Sequence, residues 1–219
     1  MRCYKLHIID EKRSTLKDTS YDNDKDEYMV NSQLQVCAFD EVKDWYIGNK
    51  IPFVKPIPKS NDALFFGEKE CFFIEFKNGR IDNAVNFELN KKIYDSLFIL
   101  FDLNYIDKKR NAVNSISYTR SNMNYILVYN KERYLEAGPT KQTQDGFKRQ
   151  EIEKRESQHR DKLYKTIRNL ANEEFVKFGL DQFKNYLFKN VYTFTVEEFE
   201  KKFINEQEAL ITERLNSQK

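Results

Sequence analysis

The sequence predicts an α/β protein, a central mixed β-sheet flanked by helices, with a helical C-terminal extension. Three observations predict it. Two apolar segments, residues 60–66 and 71–76, are separated by the polar connector Gly67-Glu68-Lys69-Glu70, the pattern of a β-hairpin. Residues 86–103 then carry Leu89, Ile93, Leu97, Leu100 and Phe101 along one side, which is the spacing of a buried helix. After it, Met123–Tyr129 (MNYILVY) is apolar almost without a break, as strands covered on both faces are.

The other elements follow in order. Residues 3–9 read as a short strand. Residues 10–27 are rich in Asp, Lys, Ser and Thr and have no apolar period, which predicts a solvated loop. In residues 31–47, Leu34, Ala38, Val42 and Trp45 recur near helical spacing, and Gly48 reads as the stop of that helix. Pro52, Pro56 and Pro58 favour an extended connection into the hairpin. Asn78-Gly79 marks the exit of its second strand. The return through the long helix to Met123 predicts a right-handed crossover between parallel strands. Beyond residue 135 the chain reads as helical. Residues 147–178 are rich in Lys, Arg, Glu and Gln, and Thr195-Val196-Glu197-Glu198 has the form of a capping box that opens a last helix.

Composition bounds the function. The 219 residues are 40% hydrophobic and 15% aromatic, enough for a core of their own. The net charge is +2, from 37 basic and 35 acidic side chains, so any polyanion site must come from local clustering. Lys108-Lys109-Arg110 is one such cluster. Residues 147–169 form another, with eight Lys or Arg against four Asp or Glu, a pattern that equally suits a salt-laced exposed helix. Cys3, Cys37 and Cys71 are odd in number and widely spaced, which argues against a disulfide framework or a zinc site. His7 and His159 form no nucleophile–base motif, and no GxxxxGK[ST] loop occurs. Residues 1–10 lack the apolar run of a signal peptide. The most apolar stretch, 93–103, is short and is broken by Asp95, Ser96 and Asp102. A soluble, cytoplasmic protein with no membrane association is expected.

Chemistry concentrates in the hairpin. If its turn centres on Glu68-Lys69, Phe66 faces Cys71 and Asp62 faces Glu75. Directly opposed side chains lie roughly 5 Å apart at Cβ. Glu75 and Lys77 are two residues apart and share a face, whereas Ala63, Phe65, Phe72, Ile74 and Phe76 line the other. Two carboxylates in an apolar setting repel each other, and a divalent cation relieves that repulsion. Oxygen ligands suit Mg²⁺ or Mn²⁺. Lys77 could orient a water or meet charge developing on a phosphate. The plainer alternative is a structural ion pair of Lys77 with Asp62 and Glu75.

On these residues the chain resembles the PD-(D/E)XK, or restriction-endonuclease-like, nuclease superfamily. Asp62 stands on the first hairpin strand and Glu75-Phe76-Lys77 on the second, and the succession strand, strand, helix, strand over about residues 54–130 matches the family core. Asn61 stands where the family has its leading proline. The resemblance implies a nuclease-like core over residues 1–135. Residues 136–219 would then form a helical extension, separate or part of the same domain. It implies a metal-dependent nuclease that hydrolyses phosphodiester bonds in nucleic acid, with DNA favoured over RNA, in phage defence or repair. Asp62, Glu75 and Lys77 would be catalytic. Mg²⁺ or Mn²⁺ would be held by Asp62, Glu75 and the Phe76 main-chain carbonyl, with Glu41 as a further acid from the first helix. A family motif of Gln-x-x-x-Tyr form has a counterpart in Asn90-Lys91-Lys92-Ile93-Tyr94, which makes Asn90, Lys91, Lys92 and Tyr94 candidates for substrate binding. Two alternatives stay open: a catalytically idle fold that binds nucleic acid or protein, and an interaction protein whose contacts lie within residues 147–215. A homodimer or a separate protein partner also stays open.

Overall fold

Six strands form one mixed sheet and lie side by side in the order in which the chain makes them: β1 (Arg13–Thr15), β2 (Gln35–Ala38), β3 (Ala63–Phe66), β4 (Cys71–Lys77), β5 (Met123–Tyr129) and β6 (Asn190–Thr195). Neighbours from β1 to β4 are antiparallel, and β4, β5 and β6 are parallel. The structure, a computed structural model, describes residues 8–103, 106–107, 111–112, 115–136 and 176–217.

Helices cover both faces. On one lie α1 (Phe39–Lys50) and α2 (Asn83–Asp102). Phe39, Val42, Leu89, Ile93, Leu97 and Leu100 from these helices pack with Leu64, Phe73, Tyr125 and Leu127 of the sheet. Asp82 caps α2 by accepting from the Val85 amide at 3.0 Å. On the other face lies a helical run made of Val196–Phe199, a π-helical turn Glu200–Ile204, and α3 (Asn205–Ser217). Phe199, Phe203 and Ile204 of this run meet Ala63, Phe65, Ile74, Phe76, Ile126 and Val128. The alternation of β3 and β4 between these two cores is the period of two that a strand imposes. Among the described residues no helix is long and apolar enough to cross a membrane.

Several sequence expectations need correction. Ile8–Glu11 is a helical turn, and residues 3–7 of the expected first strand lie outside the described residues. Residues 10–27 are not a loop. They hold β1, the helical turn Leu16–Thr19 and a small ladder of Tyr21–Asp22 with Glu27–Tyr28. Leu16 is wholly buried and anchors this segment, and Thr15 caps its turn by accepting from the Asp18 amide. Helix 31–47 is too long at its start, because residues 35–38 are β2. Leu34 and Val36 enter one core while Cys37 and Phe39 enter the other, an alternation hidden beneath the helical spacing of Leu34 and Ala38. At the other end α1 runs past Gly48 to Lys50. The C-terminal part is not wholly helical: β6 pairs along its length with β5, so residues beyond 136 complete the same sheet. Lys108, Lys109, Arg110 and residues 147–175 lie outside the described residues.

Candidate active site

The hairpin register is the one read from the sequence. Phe66 pairs with Cys71, Phe65 with Phe72, Leu64 with Phe73, and Ala63 with Ile74. Asp62 directly precedes β3, and the same register carries it opposite Glu75. Three bonds hold Asp62 there. Its main-chain oxygen accepts from the Phe39 amide at 3.0 Å, at the start of α1. Carboxylate Oδ2 accepts from the Phe76 amide at 2.7 Å. Oδ1 accepts from the Lys92 ammonium at 3.1 Å.

The approach to Asp62 is fixed by α2. The Asn61 amide donates to Ser96 Oγ at 2.8 Å, and the Lys59 amide donates to Asp95 Oδ2 at 2.7 Å. Ser96 is buried inside the helix face that covers the sheet. Lys92 precedes it by four residues, one helical turn, and so shares that face.

Lys92 therefore enters the acid pair. Its ammonium lies 2.6 Å from Glu75 Oε1 as well as 3.1 Å from Asp62 Oδ1. Lys77 also reaches Glu75 Oε1, at 3.0 Å. Glu75 has no exposed surface, and the side chains of Asp62 and Lys92 are 16% and 15% exposed. Burial and the nearby Glu75 charge push the Asp62 carboxyl up to about 7, against the opposing pull of Lys92 and the Phe76 amide. Burial works to lower the Lys92 ammonium, but Glu75 and Asp62 outweigh it and hold Lys92 above the ordinary lysine range. Tyr125, buried under the same acids, has its phenol pushed well up by burial and by the charges of Glu75 and Asp62. Among the described residues Glu75 Oε2, the Tyr125 hydroxyl and the side-chain amide of Asn61 have no hydrogen-bond partner. Buried polar atoms are rarely left so.

The other sequence candidates divide. Glu41 points outward from α1, 59% exposed and paired with Lys12 at 3.2 Å, so it does not join the cluster. Its neighbour Asp40, bonded to Ser60, is the α1 acid whose charge helps raise Asp62. Phe39, Val42 and Tyr46 set the buried side of α1, and Glu41, about 100° around the helix from Val42, falls off it. Lys91 pairs with Asp95 at 2.5 Å, along α2 rather than toward Glu75. Asn90 keeps a buried Oδ1 with no partner among the described residues. Tyr94 packs edge-on against Phe183 with ring centres 5.7 Å apart.

The donor set fits a hard divalent cation. Among the described residues no group of three or more His, Cys, Asp or Glu side chains gathers as metal ligands. Two carboxylates are, however, what Mg²⁺ commonly takes from a protein, the rest being water and substrate oxygen. Glu75 Oε2 is a buried anionic oxygen left over for such a contact. No protein-family model, curated protein or solved structure matches this chain.

Proposed function

We propose that the chain is a metal-dependent nuclease of restriction-endonuclease-like fold that hydrolyses phosphodiester bonds, with DNA favoured over RNA and a role in phage defence or repair. The observation that carries the reading is the convergence of Asp62, Glu75 and Lys77 at one end of a hairpin whose remaining side chains are core. An apolar hairpin gains nothing in packing from two facing carboxylates, so a chemical use explains them better than a structural one.

Asp62 and Glu75 would hold Mg²⁺ or Mn²⁺, with the Phe76 main-chain carbonyl as a third oxygen. A bound cation of this kind supplies Lewis-acid stabilisation of the charge that develops on a phosphodiester. Lys77, about a quarter exposed and bonded to Glu75, is the group able to meet a phosphate oxygen or to orient an attacking water. Asp62 is kept in place by the Phe39 and Phe76 amides, and Asn61 by Ser96, so the acids are positioned before substrate arrives.

One observation favours a second reading. The Lys92 ammonium already answers both carboxylates, as it would in a catalytically idle relative that binds nucleic acid or protein. Incubation with plasmid and with RNA, with and without Mg²⁺ or Mn²⁺, separates the two. The nuclease reading expects metal-dependent cleavage by the wild type and none by Lys77→Ala. Intact substrates under every condition favour the idle reading.

A further inference from the structure

We propose that Lys92 is the resident counter-ion of the Asp62–Glu75 pair, and that a divalent cation enters only by displacing its ammonium. The inference rests on the reading of that pair as a metal site and adds how the site is controlled.

Geometry carries it. One ammonium lies within hydrogen-bond reach of both carboxylates, at 3.1 Å and 2.6 Å, in the space where a shared cation would have to make its contacts. That ammonium comes from a different element. It rises from α2, on the face that also binds Asn61 through Ser96, so the docking of α2 delivers it. Lys77 meets the same Glu75 oxygen at 3.0 Å. A divalent ion arriving there would face two ammonium charges at close range in a poorly hydrated site, where like charges repel strongly. Lys77 is the more exposed of the two lysines and touches one acid. Lys92 is the more enclosed and touches both. The charge that must move is therefore Lys92, and its four-carbon stem allows that without moving the helix.

Two consequences follow. The acid pair stays assembled in the absence of metal, because a tethered cation offsets its repulsion. Metal affinity is weaker than the same carboxylates would give alone, so loading depends on the concentration of free cation.

The test is a calorimetric titration of Mn²⁺ into the full chain after chelation and desalting. Lys92→Met keeps the stem and removes the charge, and is expected to bind Mn²⁺ about tenfold tighter than the wild type. Lys92→Arg keeps the charge on a two-pronged group that grips carboxylates more firmly. It is expected to bind several-fold more weakly, and it decides the matter if Lys92→Met does not fold without metal. Mn²⁺ binding by the wild type, with equal or weaker binding by Lys92→Met, or with equal or tighter binding by Lys92→Arg, overturns the exchange and leaves the nuclease reading standing. No Mn²⁺ binding by the wild type or either variant overturns both.

Discussion

Asp62 does three jobs with one residue: its main chain receives the start of α1, one carboxylate oxygen receives the neighbouring strand, and the other meets Lys92. Its charge is nevertheless unwelcome, since burial and Glu75 push the carboxyl up to about 7. The sign of the effect on stability follows. An unfolded aspartate takes its proton only near about pH 4. The folded protein holds that proton over a higher range, so the contribution to stability is present at low pH and is lost as pH rises toward 7. In chelator, the wild type should be less stable to urea at pH 8 than at pH 5.5, and Asp62→Asn should flatten that difference. Identical pH slopes would mean that Asp62 carries no such cost. Glu75→Gln should behave differently. It removes the oxygen that Lys92 and Lys77 share and should cost about 3 kcal/mol at pH 5.5. With the Glu75 charge gone Asp62 is pushed up less, so the further loss toward pH 8 should be smaller than in the wild type. Asp62, Glu75 and Lys77 are legible in the sequence because charges in an apolar hairpin stand out. Lys92 is legible only as one of two adjacent lysines. Its role depends on how α2 is rotated over the sheet, and that is set by Ser96 and the core leucines, not by local spacing.

Among the elements, those with a single dominant pattern are the ones the sequence specifies well. β5 spans Met123–Tyr129 as read, and α2 differs from residues 86–103 by one residue at its end and three at its start, where Asp82 supplies the cap. The Thr195 box is present in full: Thr195 Oγ1 accepts from the Glu198 amide at 3.2 Å, and Glu198 returns to the Thr195 amide at 2.9 Å. Thr195→Ala should therefore lower stability by about 1 kcal/mol in equilibrium unfolding. No loss would show that the box is redundant with the Phe199 and Phe203 packing behind it. Ser96→Ala tests the seam between α2 and the hairpin. The buried Asn61 amide would lose its acceptor, costing about 1–3 kcal/mol, and its hydrogen exchange should quicken relative to β5 amides. Unchanged exchange at Asn61 would place the anchor elsewhere. β2 and β6 are the strands misread as helix. Each is short, each mixes polar and apolar residues, and each adjoins a helix whose period masks the alternation, so only pairing with an existing strand defines it.

For the molecule as a whole, the decisive feature is that the sheet closes across sequence-distant parts. β6 lies parallel to β5 and brings with it Phe194, Phe199 and Phe203, which roof the core face formed by Ile74, Phe76, Ile126 and Val128. A chain ending at residue 136 would leave that face open and the β5 edge unpaired. It should fail to give a cooperative unfolding transition, whereas a sharp transition would establish the first part as a self-sufficient unit. The same closure could not be read from sequence, because a composition rich in Lys and Glu says helix without saying where one strand interrupts it. Asp62 and Glu75 are proposed to hold a divalent cation on this scaffold, and melting curves are the test. A cation that binds only the folded state at a hundredfold excess over its dissociation constant adds about 2.7 kcal/mol, on the order of 5–10 °C for a chain of this size. A cation held by Asp62 and Glu75 should give a rise of that kind in the wild type with Mn²⁺, largely lost in Asp62→Asn. A wild-type melting temperature that ignores Mn²⁺ and Mg²⁺ alike would contradict it.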